Sequence, residues 1–465
     1  MDRRRLLKLG MGAGALLGLG VWARNRYLPP PVSATLGGVD DLARALHDSL
    51  SDEARARACV PYDHPLRQFH NRGLWTGGLP VDAGTLTWEQ RSLLTDLFHA
   101  GLSPAGRQRI PEQFFLSWPG VHGCDLLFCG VPGDTHWQVL LTGPHLNLRI
   151  GGANAEGVAF GGPQVYGDQR GDGRQGIPGN LYRGQFQSAL ALLSGLDADQ
   201  RRRALLPRSP QQERVEVRGR SAALPGVAVG ELDAPAQARA RALVADMLSP
   251  WPEHDVAYAW QCLEANGGVV ALHASWYEDG IVAASGEPQI FRLEGPAAVL
   301  HFHGAPHVHA LVNIAMDGEH PLSVGELLGH NPVAREGSAV SRLFERALAD
   351  QPGVDLAFFH EDSVAGQLRA GPVRAGDIWA LETYGERACR LEIPGRLLAD
   401  TLQARLSARG EPVDPDRRYV VATTGFVADE FADERLGQIA SRESGPFLRE
   451  LTVEHLRRVG FAASG

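Results

Sequence analysis

The stretch His301-Phe302-His303-Gly304-Ala305-Pro306-His307-Val308-His309 carries four histidines in nine residues and reads as two strands joined by a turn. Alternate residues of a strand face the same side, so His301 and His303 share a face, as do His307 and His309. Gly304-Ala305-Pro306 has the composition of a three-residue hairpin loop. Closed there, the hairpin sets His303 opposite His307 and His301 opposite His309, and all four imidazoles leave one face of the ribbon. Cross-strand neighbours stand ~5 Å apart at Cβ, close enough to share a divalent transition metal: Zn, Cu, Fe or Ni.

Strand signals continue outward from the hairpin. They cover Ala298–His303 and His307–Ile314, then Val269–Tyr277, Ile281–Ala284 and Gln289–Leu293, and further back Leu126–Val131, Trp137–Leu141, Leu146–Ile150 and Val158–Phe160. Helical periodicity occupies 38–110, where Leu42, Leu46 and Leu50 make one apolar face. Thr87-x-x-Gln90 is a capping-box signal there, and Gly101 is placed to end that helix. Two further helical stretches run around 182–206 and 234–248, the second capped by Asp233 with Pro235 in its first turn. The pattern predicts an α+β chain: N-terminal helices with a mainly antiparallel sheet domain, then a smaller mixed α/β domain. The expected boundaries are 1–34 for a leader, 35–317 for the first domain and 318–465 for the second. Residues 166–180 form a long Gly- and Asp-rich loop.

His145 and His136, in the earlier strands, are the natural additional ligands. Glu294 is the acid nearest in sequence and the candidate general base. His360-Glu361-Asp362 is a second polar cluster, able to supply a carboxylate if its loop folds over the hairpin.

Composition removes other chemistries. Of the 45 basic residues only Lys8 is a lysine, which excludes Schiff-base catalysis, a Ser-Lys nucleophile and a Walker A loop beyond the leader. A net charge of −9 without a basic stripe argues against a nucleic-acid partner. The cysteines at 59, 124, 129, 262 and 389 contain no C-x-x-C pair, and a Cys124–Cys129 bridge stays open. No G-x-S-x-G elbow is present.

Arg3-Arg4-Arg5-Leu6-Leu7-Lys8 resembles the twin-arginine export motif. The apolar run from Leu9 to Ala23 is 15 residues long, short of the about 20 a membrane span needs. Val32-Ser33-Ala34 offers a small-residue cleavage site. The resemblance implies passage through the twin-arginine translocase to a periplasmic or extracellular location, with an uncleaved N-terminal anchor as the alternative and no stable transmembrane span.

Residues 38–315 resemble the secreted "domain of unknown function 3500" family. The likeness rests on Leu42-Ala43-Arg44, Leu86-Thr87-Trp88-Glu89-Gln90-Arg91, Gly143-Pro144-His145-Leu146-Asn147-Leu148, Phe160-Gly161-Gly162-Pro163, Phe291-Arg292-Leu293-Glu294-Gly295-Pro296 and His307-Val308-His309, in that order. The family supplies candidate residues and no reaction; where it usually carries an acid before the His-x-His strand, this chain has His301. Residues 318–462 resemble the C-terminal domain of the 5′-nucleotidase family through Val354-Asp355-Leu356-Ala357-Phe358-Phe359, Ala370-Gly371-Pro372-Val373, Leu391-Glu392-Ile393-Pro394-Gly395-Arg396 and Tyr419-Val420-Val421-Ala422-Thr423. That family's nucleotide-holding places read here His360, Asp362, Ser363, Ala365 and Thr383-Tyr384-Gly385-Glu386, so no nucleotide-binding residues carry over.

Three functions fit these residues. The first is an exported metal-dependent enzyme, most simply a hydrolase, with a ligand set drawn from His145, His301, His303, His307 and His309 and a small-molecule substrate the sequence does not name. The second is a non-catalytic metal-binding or scaffold protein. The third, a link to nucleotide hydrolysis, rests on the tail's likeness alone.

Overall fold

Two units divide the chain, Met1–Tyr62 with Asn71–Leu322 and Asp63–His70 with Ser323–Gly465. The structure, a computed structural model, describes residues 30–68, 78–82, 84–113, 120–143, 145–151, 157–168, 181–212, 214–282, 286–304, 307–318, 324–364, 366–382, 384–434 and 442–461. Most of the leader, Pro144, residues 169–180 of the expected Gly- and Asp-rich loop 166–180, Ala305, Pro306, Ala365 and Thr383 lie outside the described residues, and 166–168 of that stretch are strand.

The first unit is built on one sheet. Its strands are β1 (Cys59–Val60), β2 (Leu79–Pro80), β3 (Asp125–Cys129), β4 (Gln138–Gly143), β5 (Leu146–Ile150), β6 (Gln164–Asp168), β7 (Leu205–Leu206), β8 (Val227–Ala228) and β9 (His273–Tyr277). A small separate ribbon, β10 (Ile281–Val282) with β11 (Glu287–Pro288), precedes β12 (Ile290–Gly295), β13 (Ala298–His303) and β14 (Val308–Ile314). The sheet order is β1-β3-β4-β5-β6-β14-β13-β12-β9-β7, with β2 beside β3 and β8 beside β9. Only β1–β3 and β7–β9 pair in parallel among its described strands, so the chain is α+β.

Alternation sorts the sheet's two faces. Phe291, Leu293, Leu300, Phe302, Ala310 and Val312 share the main apolar core with helices such as Ala234–Leu248 and Trp88–Ala100. The opposite face carries Val299, His301, His303, His309 and Leu311, and an irregular segment around Val215 covers it, with Val165, Val215, Val299 and Leu311 packed together. Local signals placed several helix ends. The Thr87–Gln90 capping box forms, Gly101 follows the helix Trp88–Ala100, and Asp233 accepts from the Ala236 amide.

Three expectations change. Val158–Phe160 is not a strand: only Val158 bridges, to Ala315, and Phe160 takes a left-handed φ of 60° in a short turn. The helix Glu253–Ala265 was not foreseen; its buried residues are only Ala259, Cys262 and Leu263, a sparse apolar signal. Cys124 and Cys129 form no disulfide, and neither do the other three cysteines. They flank the ends of β3, ~16 Å apart at ~3.3 Å per residue, far beyond bridging distance.

The second unit contains β15 (Leu327–Asn331), β16 (Arg335–Glu336), β17 (Leu356–Ala357), β18 (Gln367–Leu368), β19 (Gly371–Arg374), β20 (Arg387–Pro394), β21 (Arg418–Thr424) and β22 (Arg442–Phe447). Its main sheet runs β17-β21-β20-β22, with β17 parallel to β21. Leu356, Leu391, Ile393, Leu402, Tyr419 and Val421 form its core. Residues 63–70 belong to this unit although they precede it by some 250 residues. There the Gln68 amide donates to Asp377 at 3.3 Å and accepts from the Val324 N–H at 3.2 Å.

Candidate metal centre

The hairpin closes in a different register from the one its spacing predicts. His303 pairs with His309, and His301 pairs with Leu311. The connection between the paired residues is therefore 304–308, longer than the three-residue loop. The partner on the other side explains this, because β14 also aligns with β6, Val308 opposite Asp168 and His309 opposite Gly167. His307 is thereby released from the strand, and its Nε2 meets His309 Nε2 at 3.0 Å.

His145 completes the group from the β4–β5 turn. Its backbone is left-handed, φ 60°, a conformation that costs a non-glycine residue ~1–3 kcal/mol and tends to be kept where function needs it. The ring stacks on His309 with centroids 4.8 Å apart and meets His307 edge-on, also at 4.8 Å. One nitrogen from each of His145, His307 and His309 lies within 4.8 Å of the other two, and among the described residues no other His, Cys, Asp or Glu group of three gathers this way. Gly167 clears the space: a Cβ there would run into the Val308 carbonyl oxygen and sit 3.2 Å from the His145 Cβ.

Electrostatics keep the His145 ring available. Burial first, then the neighbouring His307, pushes His145 down to about 4, while the buried Asp168 opposes the shift. A neutral imidazole is the form that binds a metal. The same shift sets a stability prediction for the metal-free protein. Between the ordinary value of 6.5 and about 4, the unfolded chain holds a proton on His145 that the folded chain does not. Stability is therefore present above pH 6.5 and lost as pH falls, by up to ~1.4 kcal/mol per unit. His145→Asn, which tolerates the left-handed turn, should flatten that slope in urea midpoints taken at pH 7, 6 and 5; an unchanged slope would contradict the assignment.

Within the first unit, the other candidates stand apart from this trio. His301 is fully buried, and its Nδ1 accepts from Arg292 Nε at 2.9 Å; burial and that guanidinium hold it well below the ordinary histidine range. His303 lies parallel to His309 at 6.0 Å between centroids and adds no nitrogen to the trio. Glu294 sits opposite Val299, ~13 Å along the strand from His303, with its Oε1 held by Arg292 Nη1 at 3.2 Å. His136 is exposed before the first residue of β4, the far end of that strand from His145, and packs on Tyr62. His360 and Glu361 follow β17 in the second unit, where His360 packs on Phe358; the Asp362 side chain lies outside the described residues.

A family model described as "Protein of unknown function (DUF3500)" matches residues 33–317, more than half of the chain. The chain belongs to the DUF3500 family. The trio and its supporting strands all fall inside the matched DUF3500 segment. No curated protein matches the chain. Among solved structures it is similar to a 5′-nucleotidase precursor from Thermus thermophilus, at 13% identity over 41% of this chain and 52% of that one, TM-score 0.26. It is also similar to the NAD nucleotidase of Haemophilus influenzae, at 13% identity over 40% and 55%, TM-score 0.25. A third is the sulfate thiohydrolase of Thermus thermophilus, at 16% identity over 36% and 43%, TM-score 0.24. The chain spans about half the length of these structures. None of its described helices is long and apolar enough to cross a membrane.

Proposed function

We propose that this DUF3500 chain is an exported metal-dependent enzyme of the hydrolase class, with His145, His307 and His309 as the metal ligands. The observation that carries the reading is the convergence of three ring nitrogens, from the β4–β5 turn and from the start of β14, within 4.8 Å, with His145 held neutral. The donor set fits the group: three imidazoles suit Zn, Cu, Ni or Fe, and their spacing matches a shared ion. A divalent ion held by three protein ligands keeps one position open for Lewis-acid chemistry on water or substrate.

The chain's own contribution is to hold the rings in place before any ion arrives. The strained turn at His145, the missing side chain at Gly167 and the pairing of β14 with β6 all serve that end. Export rests on the leader, whose paired arginines and apolar run precede the family segment.

The test is elemental analysis of protein purified without a metal-affinity tag, followed by zinc titration. One ion per chain, bound tighter than micromolar, is the expected result. Protein that carries no ion and takes up none on titration would end this reading.

A further inference from the structure

We propose that Gln212 is the positioning residue that selects the ligating nitrogen of His309. The inference rests on the reading of His145, His307 and His309 as ligands. His309 Nδ1 and Gln212 Oε1 are 2.7 Å apart. A neutral imidazole carries one proton, and an amide oxygen at that distance holds it on Nδ1. The lone pair is then on Nε2, the atom that stands 3.0 Å from His307 Nε2. Two nitrogens bound at 2.0–2.1 Å to one tetrahedral ion stand ~3.3 Å apart, so the ring is already turned to within a few tenths of an ångström of a ligating pose.

The Gln212 side chain is flexible by nature, and the fold removes that freedom. The carbonyl of its neighbour Gln211 accepts from Arg292 Nη2 at 3.0 Å. It also accepts from the Arg214 amide at 3.1 Å, which closes a turn around Gln212. Val215 packs into the cluster of Val165, Val299 and Leu311, and its carbonyl accepts from Asn313 Nδ2 at 2.8 Å. The segment is thus pinned onto the histidine face of the sheet on both sides of Gln212.

This gives His301 a different task from ligation. Arg292 uses Nε on His301, Nη1 on Glu294 and Nη2 on Gln211. His301 and Glu294 therefore help aim the guanidinium that holds the segment carrying Gln212. His301, Arg292 and Glu294 are thus linked to His309 through two residues the sequence does not mark, Gln211 and Gln212.

Three variants of the full-length protein test the proposal, with zinc affinity read by chelator competition and geometry by the visible absorption of the cobalt(II) form. Removing the outer partner of a ligating histidine costs about 10–100-fold in affinity. Gln212→Leu should weaken zinc binding by that factor and shift the cobalt bands. Gln212→Asn, one methylene too short to reach Nδ1, should do the same without the apolar bulk. Gln212→Glu keeps the shape and the acceptor, and should stay within about threefold of the parent protein or bind more tightly. Equal losses in Gln212→Leu and Gln212→Glu would reduce Gln212 to a packing role and overturn the proposal. So would unchanged affinity in both Gln212→Leu and Gln212→Asn while the parent protein binds zinc. A parent protein that binds neither zinc nor cobalt removes the ligand trio itself, and Gln212's role with it.

Discussion

Zinc bound by the His307→Ala, His309→Ala double variant should fall to background. Structural zinc held by four ligands is worth about 10–16 kcal/mol, so each ligand carries roughly 3–4 kcal/mol. At about 1.4 kcal/mol per factor of ten, a single loss weakens binding ~10²–10³-fold, and a double loss leaves little more than one free imidazole. The contrast lies in His303→Ala. Its ring lies flat against His309 at 6.0 Å and contributes no nitrogen to the trio, so a few-fold change at most is expected. Equilibrium dialysis against buffered zinc separates the two outcomes. Full occupancy in the double variant would show that the ion, if any, sits elsewhere.

Arg292→Met should destabilise the first unit by about 3–5 kcal/mol, the usual cost of removing one partner from a buried ion pair. Arg292 and Glu294 are each 1% exposed, and the guanidinium also serves His301 and the Gln211 carbonyl. Without it, the Glu294 carboxylate keeps, among the described residues, the single ion pair with Arg218, whose Nε stands 3.5 Å away on a partly exposed side chain. Adding Glu294→Gln to Arg292→Met removes the stranded charge and should recover part of the loss. Urea unfolding of the two variants reads this directly. A single variant within 1 kcal/mol of the parent, or a double variant no better than the single, would mean that the pair is solvated rather than buried.

Local chemistry was legible where it acts over three or four residues. The capping box at Thr87, the Asp233 cap and the strand Ala298–His303 all stand where their patterns put them. The histidine hairpin was legible as a hairpin but not in register, because period-two alternation says which residues share a face and not how many are spent in the turn. The pairing of β14 with β6 decided that, and β6 lies some 140 residues upstream. His145 was a candidate from its place in the earlier strands and by family likeness, yet its left-handed backbone has no signature in an ordinary Pro-His-Leu sequence. Gln212 had no signal at all: it is a glutamine in a polar run, 97 residues from the ring it touches. Asp168, which opposes the His145 shift, stood out only as one residue of the Gly- and Asp-rich stretch 166–180. The surroundings of His301 were hidden for a simpler reason. Arg292 stands directly opposite it on β12 and takes its Nδ1.

The placement of residues 63–70 in the second unit has a consequence for synthesis and for cutting the gene. The bond from Gln68 to Asp377 closes a chain interval of 309 residues. Closing a flexible loop of that length costs about 5 kcal/mol in chain entropy beyond a constant term. During translation, the early segment emerges long before the strands it joins, so it waits with its partners absent until the ribosome has passed residue 377. A fragment started at Ser323 would lack the amide that bridges Val324 and Asp377 and the His64 ring that packs on Trp379. Supplying residues 63–70 as a separate peptide should protect such a fragment from proteolysis, much as a missing strand restores a split protein.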